Sequence, residues 1–145
     1  MPEVSLKNNW SATAWRGEKV HTQLLVWTKQ DITNITYYLT PLKNESGKAI
    51  PAGKLKAGFV RYVVTDEFRN GCGNRKPQDF DSSIVADAID TVSQLALKSK
   101  NVQPIWLTVE VPADAEPGKY SGSVKVNADK LYTLSYTIQV KDRVL

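Results

Sequence analysis

The chain has 145 residues, 41% hydrophobic and 23% charged, with four Trp, six Tyr, three Phe, one cysteine and a formal net charge of +4. These totals suit one globular domain with a single core, spanning 1–145, and a lone cysteine excludes an internal disulfide or a multi-cysteine metal site. No apolar run reaches the ~18 residues of a membrane span, and MPEVSLKNNW lacks the basic and apolar regions of a secretory leader, so an exported form is expected to have lost its signal peptide.

The first strand is expected near SATAW (11–15). In HTQLLVWTK (21–29), Leu24 and Val26 share one face while Leu25 and Trp27 share the other, the pattern of a strand covered on both sides. NITYYLTPL (34–42) alternates Ile35, Tyr37 and Leu39 with Thr36, Tyr38 and Thr40. KNESGKAIPAGKLKAG (43–58), rich in Gly, Pro and Ser, reads as a long solvated loop. From Lys43 to Arg61, Lys43, Lys48, Lys54, Lys56 and Arg61 stand against Glu45 alone, which concentrates the positive charge in this stretch. No RRM, zinc-finger or helix-turn-helix signature accompanies it, so no nucleic-acid partner is expected. In GFVRYVVTD (58–66), Phe59, Arg61 and Val63 oppose Val60, Tyr62 and Val64.

Residues 66–101 break the alternation. DEFRNGCGNRKPQDFDSS (66–83) carries turn formers and charges and reads as an irregular excursion. After it, Ile84, Val85, Ala88, Ile89, Val92, Leu95 and Ala96 fall at helical spacing and predict a short amphipathic helix. Its Ile and Val content lowers helix propensity, which keeps an extended start through IVADAID open. QPIWLTVEVPADAEPGKYSGSVKV (103–126) then reads as a hairpin. Ile105, Leu107, Val109 and Val111 face one way, and Trp106, Thr108 and Glu110 the other. Pro112 ends the first strand, and Pro117-Gly118 suit the centre of a type II turn. Tyr120, Gly122, Val124 and Val126 face inward on the second strand. KLYTLSYTIQV (130–140) places Tyr132, Leu134, Tyr136, Ile138 and Val140 on one face. The expected fold is all-β, an immunoglobulin-like antiparallel β-sandwich of about seven strands, with one long irregular or short-helical excursion at 66–101.

Residues with chemistry are few. Cys72, in NGCGNR, would need His21 as its base to act as a nucleophile, and a small side chain packed under a glycine-rich loop is the better reading. Asp66 and Glu67 are adjacent, and neighbours on a strand point to opposite faces, which does not set an acid and a base across one bond. Asp79, Asp81, Asp87 and Asp90 follow no calcium-loop spacing. Neither a cofactor nor a metal is expected. Asn9, Asn34 and Asn44 begin Asn-x-Ser/Thr triplets that chance explains equally well. Trp27 and Trp106 sit at alternating strand positions and are expected in the core. Trp10 and Trp15 flank SATA, and an exposed tryptophan is a platform for the apolar face of a sugar.

AWRGEKVHTQLLVWT (14–28), FVRYVVTDEF (59–68), GCGNR (71–75), SSIVADAID (82–90) and the 103–126 segment resemble the N-terminal β-sandwich domain of proteins similar to glycoside hydrolase family 123, of Bacteroidetes type. The likeness runs from about Trp15 to Leu145. It implies a non-catalytic module whose partner is the catalytic barrel of the same polypeptide, following KDRVL. Members of known activity remove terminal β-linked N-acetylgalactosamine by substrate-assisted catalysis with an Asp-Glu pair on the barrel. Asp66-Glu67 is not that pair, because its surroundings match the sandwich. The resemblance also implies a periplasmic or cell-surface location. Candidates for contact with the barrel are Arg16, Glu18, Arg61, Asp66 and the 66–81 loop. The rival reading is a carbohydrate-binding module that uses Trp10 or Trp15, with a glycan as partner. An independent enzyme built on Cys72 or on Asp66-Glu67 is the third.

Overall fold

A computed structural model describes residues 7–65 and 83–145. Eleven strands follow one another: β1 (Asn9–Arg16), β2 (Lys19–Trp27), β3 (Ile32–Leu39), β4 (Leu42–Lys43), β5 (Ala49–Ile50), β6 (Leu55–Thr65), β7 (Ser83–Ile89), β8 (Gln94–Leu97), β9 (Val102–Glu110), β10 (Gly118–Asn127) and β11 (Leu131–Val144), with one 3-10 turn at Ala52–Lys54. They form two sheets. The larger runs β1-β11-β10-β3-β8, with β4 and β5 attached beside β10, and the smaller runs β2-β9-β6-β7. Every described pairing is antiparallel except β1 with β11. The result is the expected immunoglobulin-like sandwich.

The core is made by alternation. β9 turns Ile105, Leu107 and Val109 inward, and β10 and β11 answer from the opposite sheet with Tyr120, Val124, Val126, Tyr136, Ile138 and Val140. Each fully buried large aliphatic is worth about 1.5–3 kcal/mol in transfer free energy. Three tyrosine hydroxyls find carbonyl acceptors, and that of Tyr37 joins the two layers. Tyr37 packs edge-on against Phe59 with centroids 5.3 Å apart, and its hydroxyl donates to the Ala57 carbonyl at 2.7 Å. Tyr136 donates to the Thr40 carbonyl at 2.7 Å, and Tyr120 to that of Glu116 at 2.9 Å. Among the described residues the one buried side-chain amide, Gln103, donates through Nε2 to the carbonyls of Val60 and Pro104, which meets the requirement that buried polar groups be paired.

Six expectations need correction. Residues 103–126 are not a hairpin, because β9 lies in the smaller sheet and β10 in the larger, so the chain crosses the sandwich between them. The hydrogen-bonded turn falls at Pro112–Ala115, and Gly118 opens β10 instead of centring a type II turn. Residues 83–89 and 94–97 are strands, not a helix. β-branched Ile and Val suit the extended state, and β6 and β3 each offer a partner edge. The basic stretch 43–58 is not simply a solvated loop, since Ile50 and Leu55 are core residues on β5 and β6. Finally, Trp27 is 59% exposed and Trp106 half-buried on the outer side of the smaller sheet. Once Leu24 and Val26 turn inward, the pleat forces Leu25 and Trp27 outward. With the two-residue strands and the two from 83–97, the count exceeds the expected seven.

Candidate functional site

The expected contact residues do not form one site. Trp15, Arg16 and Glu18 come together where β1 turns into β2. Gly17 makes that turn at φ +85°, a conformation that disfavours side chains with a Cβ. Glu18 Oε2 accepts the Trp15 backbone N–H at 2.7 Å, closing the turn on itself. The Gly17 N–H donates to the Val111 carbonyl at 2.9 Å, and the Leu145 N–H to the Arg16 carbonyl at 2.8 Å, so the ends of β9 and β11 meet at this corner. The Trp-Arg-Gly-Glu run thus has a local reason: a tight positive-φ turn with its own carboxylate cap. Arg16 pairs with Asp142 at 3.0 Å. Its Nε lies buried and meets no acceptor among the described residues. The Arg143 guanidinium stands 5.8 Å from the centre of the Trp15 ring.

Trp10 is at the other end of β1, half-buried in a cleft of about 240 Å³ between the facing edges β1 and β2. Asn9, Gln23, Leu24, Leu134 and Tyr136 share its walls. Arg61 is elsewhere again, on β6, where its guanidinium pairs with Asp90 after β7. That pairing lowers the Asp90 carboxyl below its usual pKa. Asp66, Glu67, Cys72, Asp79 and Asp81 lie outside the described residues. Asp87 is exposed. His21 faces outward from β2, its Nδ1 3.0 Å from Thr108 Oγ1 and accepting from Trp106 Nε1 at 3.3 Å. Among the described residues no three His, Cys, Asp or Glu side chains cluster as a metal site.

The feature that sequence reasoning missed is the contrast between the two outer faces. The larger sheet shows water Ser11, Thr13, Lys119, Ser121, Lys125 and Ser135, with Tyr38 and Trp15 set apart on different strands among them. The smaller sheet shows Leu25 and Trp27 from β2, Val102 from β9, and Tyr62 and Val64 from β6. Registers place them side by side: Trp27 pairs with Val102, and Leu25 with Pro104. The Tyr62 hydroxyl reaches the Val102 carbonyl at 3.4 Å. Val60, on the same face, is buried yet belongs to no part of the central core. Gly58 admits Ile89 close to the strand, the Ile89 Cγ2 standing 2.3 Å from where an added Cβ would be. The signal was present in HTQLLVWTK, apolar at both parities.

The family model described as "Glycoside hydrolase 123 N-terminal domain" matches residues 1–128. No curated protein matches the chain. Among solved structures, a family 123 glycoside hydrolase from Clostridium perfringens, described in terms of glycolipid glycan hydrolysis, superposes with a TM-score of 0.82 at 23% identity, covering 94% of this chain and 23% of that one. The chain therefore spans under a quarter of that protein's length. The PapD-like domain 7 of human CEP192 superposes at 0.51 with 12% identity, covering 100% of this chain and 93% of that one. At these identities the likeness is one of fold.

Proposed function

The chain belongs to the glycoside hydrolase 123 N-terminal domain family, and from that membership we propose that residues 1–145 are a non-catalytic accessory module that packs on and supports the catalytic barrel of the same polypeptide. The whole protein acts, in this reading, outside the cytoplasm on glycans containing N-acetylhexosamine. The observation that carries it is the family match itself, an N-terminal domain matched over 1–128. The fold's recurrence within 23% of a larger glycoside hydrolase chain is consistent with a module beside a bigger neighbour.

Side-chain chemistry agrees. The described ion pairs, Arg16–Asp142, Lys48–Glu116, Lys54–Glu110, Arg61–Asp90 and Lys98–Asp31, each bind one strand or turn to another. A sugar platform at Trp15 has weaker support, because Arg143 already stands over that ring. Trp10 is half-buried between the sheets.

The test is to produce the whole protein and its catalytic part alone, then compare hydrolysis of a chromogenic β-N-acetylgalactosaminide and the half-life of activity on warming. The module's removal is expected to shorten the half-life and lower the rate. Full and equally durable activity from the catalytic part alone overturns the reading. Calorimetric titration of the whole protein with host-type glycans, repeated for Trp10→Ala and Trp15→Ala, decides the rival: affinity lost in either variant while the fold persists favours glycan binding by the sandwich.

A further inference from the structure

We propose that the outer face of the β2-β9-β6-β7 sheet, centred on Leu25, Trp27, Tyr62, Val64 and Val102, is the surface by which the module docks on the domain that follows it in the same chain. This rests on the accessory reading above and names the contact that reading requires.

Three observations select this face and this occupant. The first is polarity. One outer face is mostly Ser, Thr and Lys, with Tyr38 and Trp15 as separate exposed aromatics, while the other gathers large apolar side chains side by side, from 39% of Val102 to 70% of Val64 exposed. Scattered exposed apolar residues are ordinary, but a contiguous patch marks a contact.

The second is area. Given about 150–250 Å² for a large aromatic side chain, the exposures of these five residues amount to roughly 500 Å². A contact that buries this much on each partner falls within the ~600–1,500 Å² of interfaces between domains of one chain. It lies below the ~1,600 Å² usual for stable separate partners, a second copy included. A tethered neighbour needs less area, because the linker supplies a high effective concentration.

The third is chemistry. A glycan has to be met by several hydrogen-bonding groups, and the five side chains offer two, the Trp27 indole N–H and the Tyr62 hydroxyl, of which the hydroxyl already reaches the Val102 carbonyl. An apolar protein face is the complement that fits. With no Cβ at Gly58, Ile89 packs directly against the β6 backbone beside these residues.

The experiment uses the whole polypeptide in a Cys72→Ser background. Leu25→Cys reports one outer face, and Lys125→Cys the other. Maleimide labelling of each is followed in the native protein and in denaturant, at several protein concentrations. Leu25 is 66% exposed, so the described residues of the module do not shield it. The expected result is labelling of Leu25→Cys slowed about tenfold or more in the native protein, independent of concentration, with Lys125→Cys hardly slowed. Fast labelling at both positions overturns the proposal, as does protection that appears only at high concentration, the signature of a second copy. Protection at Lys125→Cys in place of Leu25→Cys also overturns it while leaving the accessory reading standing. That reading fails separately, on the catalytic part's undiminished activity.

Discussion

Tyr136→Phe tests the packing logic at one atom. The ring is 1% exposed, turned into the core from β11 beside Gly122 of β10, and its hydroxyl donates to the Thr40 carbonyl at 2.7 Å where β3 leaves the sheet. Thr40 is itself engaged: its Oγ1 accepts the Ser123 N–H at 2.8 Å, and its N–H donates to the Ser123 carbonyl. Removing the Tyr136 hydroxyl leaves the ring's volume in place and strips the carbonyl of that donor, which costs about 1–2 kcal/mol and lowers Tm by about 3–6 °C for a chain of this size. A second consequence concerns pH. Burial pushes the Tyr136 phenol up to about 12 from 10.0. The folded state therefore keeps a proton that the unfolded chain releases, and the contribution is whole below pH 10 and lost as pH climbs from 10 toward 12. Urea unfolding at pH 8 and pH 11 reads both effects. The gap between parent and Tyr136→Phe is expected to be clear at pH 8 and smaller at pH 11. No gap at pH 8 refutes the hydrogen-bond argument, and an equal gap at both refutes the assignment of the alkaline loss to this residue.

Gly58→Ala should destabilise by about 1–3 kcal/mol, the usual penalty of overpacking, because its Cβ would stand 2.3 Å from Ile89 Cγ2 and 2.8 Å from the Asp90 carbonyl. Adding Ile89→Ala should recover part of the loss in denaturant titrations, and no recovery places the strain at the Asp90 backbone instead. Ile105→Ala, at a fully buried site facing the opposite sheet, should cost about 2–5 kcal/mol by the same titration; a smaller loss means the two sheets collapse onto the void. The Asp90 carboxyl is held low, first by its hydrogen bond from Arg61. Its stabilising contribution is therefore present above the usual carboxylate pKa and lost as pH falls below it. Arg61→Met should shrink the difference between urea midpoints at pH 7 and pH 3, with little change at high salt, where the exposed pair is screened.

Much of the architecture was legible in the chain because strand alternation is a local property. The faces of 105–111, 120–126 and 134–140 could be assigned residue by residue, and the buried set of β9, β10 and β11 follows that assignment. Ile84 to Leu97 was not legible. Apolar residues there are dense enough to satisfy a helical period, and only the partner edges of β6 and β3 settle the extended state. Of the six candidate residues, Trp15, Arg16 and Glu18 meet because one turn holds them, whereas Trp10 and Arg61 are carried to other parts of the molecule by strands that diverge.

By itself the amino-acid sequence determined most of the strands outside 66–101 and which side chains along them share a face, since the pleat sends successive residues to opposite sides whatever lies beyond. Only the tertiary structure decided that β9 and β10 belong to opposite sheets and that Leu25 and Trp27 are left in the open. Pairing and cover depend on residues distant in the chain, and the period of two is the same on a face that meets the core and on one that meets water.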